Sequence, residues 1–405
     1  MKGSSGMRRN KKELNIFLKA FLITLASIAA IFIVVLFVYI NSIKPPEIPL
    51  MPETDIAGEE EGDWRDTHLL IAPQGFTSDD RKRLFYTFLI IGLNEGTNTN
   101  TIIAASYDGV KKEANLISIP RDSLVNVSRS LKKLSGAYMS GALRGRGVEG
   151  GVAQVQREVR TIIGFVPDFY ILVNYDAFHQ IIDAVGGIEI EVPFHMKYDD
   201  PFQSLHIDIP PGRQQLDGKT ALHFARYRQS NRGYRAITDY KRIENQQLVI
   251  EKTIEKLRRP ASILRIPEFA EIFTENLHTN LTFGNALWFA NQLNEIRGTE
   301  ALSFYTMPVR GTTGTPSYYE LLNGPAIVEL VNKTINPFNK NIQLRDLDIM
   351  NYEAAPITTE TETPTTTETG IPTTTELEEP PASYDSVDSD TETIEPPASD
   401  DSVLQ

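Results

Sequence analysis

The chain has 405 residues, no cysteine, and a formal net charge of −13 from 40 basic and 53 acidic side chains. The lack of cysteine excludes disulfides, thiolate metal sites and a cysteine nucleophile. Residues 351–405 hold 14 of the 53 carboxylates and no Lys or Arg, which leaves 39 acids against 40 bases elsewhere. A body so balanced does not suit a nucleic-acid binder.

In chain order, residues 1–15 carry Lys2, Arg8, Arg9, Lys11 and Lys12. Within 16–41, Ala20 to Ile40 is a run of 21 residues without a charge, long enough to cross a bilayer as a helix. No A-x-A site follows, so the segment reads as an uncleaved anchor. The flanking charge places the N-terminus in the cytoplasm and the rest outside. Residues 42–63, rich in Pro and Glu, read as a linker. A body follows over 64–351.

In that body "LFYTFLIIGL", "TIIAASYD", "ANLISIP", "DFYILVNY" and "IEIEV" have the short apolar or alternating character of strands. "DAFHQIIDAVGG" (176–187), "LDGKTALHFARY" and Asp239–Arg259 have helical spacing. Strands alternating with helices predict an α/β domain, three layers deep around a mixed sheet. "GRGVEG" (145–150) matches G-x-G-x-x-G but follows no clean strand, and reads as a loop before a helix over Val152–Ile163. Residues 352–405, built from Thr, Glu, Pro, Ser and Asp, cannot bury enough apolar surface to offset ordering entropy, which predicts a disordered tail.

G-x-S-x-G, H-E-x-x-H and the phosphate-loop motif are all absent, and the six histidines are scattered. The positive charge is concentrated instead. "ALHFARYRQSNRGYR" and the helix after it supply Arg226, Arg228, Arg232, Arg235 and Arg242. Arginine presents a planar, permanently charged fork suited to phosphate. Residues two apart on a helix do not share a face, so Arg226 and Arg228 converge only if the helix ends between them. Arg121, in "SIPRD", sits at a predicted strand end, where α/β folds build ligand sites. Arg232 and Arg235, among Ser, Asn and Gly, read as a solvated basic loop.

Five ordered motifs resemble the LytR–CpsA–Psr proteins of bacterial cell envelopes: "LISIPRDSLVNV", "KLSGAY" (133–138), "DFYILVNYDAFHQIIDAVGGIEIEVP" (168–193), "DGKTALHFARYR" and "DYKRIENQQLVI". The resemblance runs from about Phe85 to Gln247. It implies a sheet enclosing an apolar pocket for a polyprenyl tail. It further implies a membrane-anchored phosphotransferase that moves a glycopolymer from a polyprenyl-pyrophosphate carrier to peptidoglycan or another wall acceptor, on the outer side of the bacterial cell membrane. By position, Arg121, Arg226, Arg228, Arg242 and Gln246, with Lys133, are the implied pyrophosphate contacts, assisted by Mg²⁺. Asp122 and Glu95 are the catalytic candidates.

The chain departs from the family where relatives place metal-binding carboxylates, which fall here on Asn94 and Asn100. Asn98 stands where relatives have an arginine, and Asn245 replaces the first residue of R-Q-Q. Asparagine offers Mg²⁺ an oxygen but no charge, so the ion is expected to arrive with the pyrophosphate. A second reading follows, in which the chain binds polyprenyl-pyrophosphate lipids without catalysing transfer.

Overall fold

A computed structural model describes residues 72–94, 98–296, 301–313 and 318–350, together with 45–48 and isolated positions within 19–33. The expected tail and Glu95, and almost all of the expected anchor and linker, lie outside the described residues. Among the described residues no helix is long and apolar enough to cross a membrane.

Six strands form a central mixed sheet: β1 (Phe85–Leu93), β2 (Thr99–Asp108), β3 (Glu113–Ser118), β4 (Phe169–Val173), β9 (Leu277–Thr279) and β10 (Leu302–Thr306). Their order is β10-β3-β2-β1-β4-β9. β1 runs antiparallel to β2 and parallel to β4, while β3 is antiparallel to β2 and parallel to β10. The carboxyl ends of β1, β3, β4 and β10 therefore share one edge.

β1 reads as a near-continuous apolar run because both of its faces are covered. Leu89 and Ile91 join Ile102, Ala104 and Ile117 against helix α2 (Gly147–Ile163) through Val155, Val159 and Ile162, and against α8 (Gly324–Thr334) through Ile327 and Val331. On the other face Tyr86 and Phe88 stack edge-on with Phe289 of α7 (Phe283–Gln292), with centroids 5.2 and 4.9 Å apart. Helices thus cover both faces, and the architecture is the mixed α/β fold that the pattern predicts.

The motif "GRGVEG" is not a loop. Residues 142–146 form one π-helical turn that leads into α2 at Gly147, whose φ of +55° suits glycine. Of its glycines, Gly150 serves packing between helices, for a Cβ there would come 2.8 Å from the Gly141 carbonyl oxygen. A Cβ on Gly141, at the end of α1 (Ala137–Gly141), would come 2.1 Å from the Gly150 carbonyl oxygen, and one on Gly151 would come 2.6 Å from the Tyr138 ring. Spacing alone does not distinguish this close approach from a phosphate loop.

Beside the sheet lies a second apolar cluster. Strand β5 (Ile188–Val192) pairs with β8 (Gly212–Leu216), and β6 (Met196–Asp200) forms a hairpin with β7 (Leu205–Ile209). These strands pack with α3 (Tyr175–Ala184), α4 (Gly218–Arg226) and α5 (Asp239–Leu257) through Ile182, Ile190, Ile207, Phe224 and Val249. Asn174, Asp217 and Thr238 cap these three helices by accepting backbone N–H bonds from Ala177, Thr220 and Lys241.

Candidate functional site

Between the sheet and these helices is a cavity of about 570 Å³. Its walls are apolar: Ile90, Ile103 and Ile171 from the sheet, Phe178 and Ile181 from α3, Leu222 from α4, and Val249, Ile250 and Ile254 from α5. Tyr198 and Leu205 of the β6–β7 hairpin close one side. Its polar lining includes Asn100, Arg121, Arg226, Arg228, Arg242 and Gln246, with Asn174 and Gln229. Segments more than a hundred residues apart meet here, around the carboxyl edge of the parallel strands.

Local geometry explains the convergence. α4 stops at Arg226 because Tyr227 leaves the helix at φ −56° and ψ 125°. Tyr227 is fully buried and its hydroxyl donates to the Arg235 carbonyl at 2.7 Å, which pins the loop. Arg228 turns back over the cavity as a result. Arg226 lies 4.7 Å over the Tyr175 ring, a cation–π contact that fixes its plane. Arg242 and Gln246, one turn apart on α5, face the cavity together. Gln247 points elsewhere and ties α5 to the sheet through Ser118 Oγ and the Tyr305 carbonyl, both at 3.1 Å.

Asp239 organises three of the arginines. Its Oδ1 stands 2.9 Å from Arg242 Nη2, 3.6 Å from Arg228 Nε and 4.0 Å from Arg121 Nη2. Arg242 also donates to Oδ2 at 3.0 Å. The contacts to Oδ1 are electrostatic and off the N–H axes, for Oδ1 is buried without a hydrogen-bond partner. The Nε donors of Arg121 and Arg242 are equally unpaired and buried. Such orphaned groups are uncommon and point to an absent partner. Burial, with repulsion from Arg121, pushes the Arg242 guanidinium down to about 10, and Asp239 offsets this only in part.

Asp122 and Lys133 pair with each other, Nζ to Oδ1 at 2.9 Å, and neither belongs to the cavity wall. Asp122 Oδ2 also stands 3.8 Å from Arg121 Nε, so this pair borders the site through Arg121. Among the described residues, four arginines and Lys133 stand against Asp122 and Asp239, so the described rim is positively charged. An apolar cavity with such a rim can take an apolar chain that ends in a doubly phosphorylated head.

A divalent cation finds little here. Asn100 Oδ1 accepts from Arg121 Nη1 at 3.1 Å, and Asn94 Oδ1 accepts the Asn98 N–H at 3.0 Å within its own turn. Both carboxylates are committed to cations. No group of three or more acidic or histidine side chains suited to a metal occurs among the described residues. The described residues do not make a metal site on their own.

The sequence reading missed two features. Asp239 opens "DYKR" and looks like an ordinary acidic residue in a first helical turn. Glu320, 3% exposed, accepts hydroxyl bonds from Tyr318 at 2.7 Å and Tyr240 at 3.2 Å. Burial and this carboxylate raise the Tyr240 phenol to about 12. Glu320 lies on a short strand, β12 (Glu320–Leu322), paired with β11 (Val309–Thr312), and no sequence signal connects it to the site.

The LytR_cpsA_psr family model matches residues 68–336. The chain is 27% identical over 220 residues to the polyisoprenyl-teichoic acid–peptidoglycan teichoic acid transferase TagV of Bacillus subtilis, an alignment that takes in 51% of this chain and 53% of that protein. It is 23% identical over 266 residues to the biofilm regulatory protein A of Streptococcus mutans, over 61% of this chain and 62% of that one. The chain thus spans roughly half to three fifths of the length of these curated relatives. The crystal structure of B. subtilis TagV superposes with a TM-score of 0.51 at 23% identity, over 66% of this chain and 99% of that one, a likeness of fold.

Proposed function

The chain belongs to the LytR_cpsA_psr family, and from that premise we propose that it is a phosphotransferase that moves a glycopolymer from a polyprenyl-pyrophosphate carrier to a cell-wall acceptor such as peptidoglycan. The observation that carries this reading is the pairing of one apolar cavity with four arginines, two of which hold unpaired buried Nε donors. The names of the teichoic acid transferases among its relatives support it.

On this reading the polyprenyl chain lies along Ile90, Ile171, Leu222 and Ile254, and the pyrophosphate meets Arg121, Arg226, Arg228, Arg242 and Gln246. An acceptor hydroxyl oxygen attacks the phosphorus that bears the sugar. The bond from that phosphorus to the bridging oxygen breaks, and polyprenyl phosphate leaves. The glycopolymer ends joined to the acceptor through a phosphodiester. Positioning and charge neutralisation dominate such transfers. The guanidiniums are already in place and stabilise the charge that builds on the leaving phosphate. Asp122, fixed by Lys133 and next to Arg121, is the carboxylate we assign to the hydroxyl proton. Any Mg²⁺ would, on this reading, be held mainly by the pyrophosphate oxygens, since Asn94 and Asn100 supply no charge.

A non-catalytic lipid-binding role is the second reading, favoured by the engagement of Asn94 and Asn100 in internal hydrogen bonds. Incubation of the full chain with a polyprenyl-pyrophosphate glycan, peptidoglycan and Mg²⁺ separates the two. Release of polyprenyl phosphate and label in the wall fraction are expected. Tight lipid binding with no release would establish the second reading instead.

A further inference from the structure

A second cavity, of about 210 Å³, is lined by Ser128, Arg129, Ser140, Arg144, Gln154 and Arg157. Its charge is unbalanced. Among the described residues the one carboxylate in contact with its lining, Glu158, is 2% exposed and fully engaged: Arg129 grips both of its oxygens, and Gln154 Nε2 donates to Oε1 at 2.9 Å. Arg157 donates to Gln154 Oε1 at 2.8 Å and pairs with no carboxylate, and Arg144 has no ion pair among the described residues. Burial, then repulsion from Arg144 and Arg146, holds the Arg157 guanidinium below its usual value. Three arginines around one spent carboxylate leave room and charge for an anion.

The cavity is built on rigid parts. The close Gly141–Gly150 approach locks α1, which carries Ser140, against α2, which carries Gln154 and Arg157. Arg144 is presented by the π-helical turn 142–146, an irregularity often tied to function. A chain of contacts links the cavity to the first site. Arg129 donates to the Lys133 carbonyl, Lys133 Nζ pairs with Asp122, and Asp122 follows Arg121 in the chain.

We propose that this arginine-lined cavity binds one backbone phosphodiester of the anionic glycopolymer whose pyrophosphate end occupies the larger site. The inference rests on the proposed function and adds a second contact site for the carried polymer, at a phosphate along its length. At 210 Å³ against 570 Å³, and with arginines and serines in place of isoleucines, the cavity suits a phosphate with part of its polyol or sugar and not a second lipid. It holds the carried polymer beside the transfer site through charge-assisted bonds.

The test uses the full chain and three probes: a lipid-free glycerol-phosphate oligomer, inorganic phosphate, and polyprenyl pyrophosphate without polymer. Arg144→Ala, at an exposed side chain, leaves the fold intact, and Arg157→Gln keeps the bond to Gln154 possible. Each is expected to weaken oligomer binding about tenfold, the loss of one charge-assisted bond, while polyprenyl pyrophosphate binds as to the wild type. Unchanged oligomer affinity in both variants, or no oligomer binding by the wild type, overturns the proposal. Inorganic phosphate binding as tightly as the oligomer assigns the cavity to free phosphate and also overturns it. Oligomer binding that depends on Arg144 in a chain that ignores polyprenyl pyrophosphate would uphold this site and sink the proposed function.

Discussion

Asp239 Oδ1 stands 2.9 Å from Nη2 of Arg242, three residues further along the same helix, and both side chains are largely buried at the rim of the apolar cavity. The pair is the hub of the site, because Arg228 and Arg121 lean on the same oxygen at 3.6 and 4.0 Å. One carboxylate thus restrains three guanidiniums without satisfying them, and their remaining charge is directed at the cavity.

Replacing that carboxylate tests the hub. Asp239→Asn keeps the shape and removes the charge, leaving three cations close together. Breaking a buried pair from one side costs about 3 kcal/mol. The variant is expected to melt well below the wild type in thermal unfolding, and to regain more stability than the wild type when pyrophosphate lipid is added. Unchanged melting would show that the arginines do not depend on Asp239.

The glycine-rich stretch provides a second check. Gly151→Ala places a methyl 2.6 Å from the Tyr138 ring, which must move, and overpacking of this kind costs about 1–3 kcal/mol. Denaturant unfolding is expected to show that loss with no change in lipid affinity. Weaker lipid binding in a fully stable variant would show that the stretch contributes to ligand binding and not to packing alone.

Much of this arrangement was legible in the sequence, for identifiable reasons. β1 is apolar on both faces, so its strand character needs no partner to be seen. The R-x-R pair implied a helix end at Arg226, and Tyr227 supplies it. Arg121 stands where a strand end and a proline force the chain out of the sheet. What stayed hidden depends on contacts between distant segments. Asp239 is ordinary in its own helix and becomes central only when Arg121, more than a hundred residues earlier, is folded beside it. Gly150 of "GRGVEG" stands at the spacing of a ligand loop, and only the packing of its helix against Gly141 shows its use. The pairing of β5 with β8 across nineteen intervening residues left no local signal.

Histidine 223 predicts a pH effect. Its imidazole, on α4 near Lys219, Arg226, His179 and Asp217, is pushed down to about 4, first by burial and then by the neighbouring cations. The native state therefore keeps it neutral, whereas the unfolded chain protonates it near its ordinary value. Its contribution is fully present above about pH 6.5 and is lost as pH falls toward 4. Unfolding free energies measured across that window are expected to fall more steeply for the wild type than for His223→Gln. Parallel curves would remove His223 as a cause.

Mg²⁺ is expected to bind the ligand-free chain very weakly, since Asn94 and Asn100 contribute no charge and both carboxylates at the site are paired. Calorimetric titration with and without a pyrophosphate lipid checks this, the heat appearing only when the lipid is present. Tight binding to the ligand-free wild type would place a metal site on carboxylates outside this set.

The central claim is that Arg226 and Arg228 hold a pyrophosphate at the end of the apolar cavity while Arg232 and Arg235 in the following loop do not. The affinity of the full chain for polyprenyl pyrophosphate, measured for the four single alanine variants, tests it directly. Arg226→Ala and Arg228→Ala are expected to lose about 1.5–3 kcal/mol each, roughly tenfold to a hundredfold, with far smaller losses for Arg232→Ala and Arg235→Ala. Equal losses at all four positions would mean a diffuse attraction of charge and would contradict the site described.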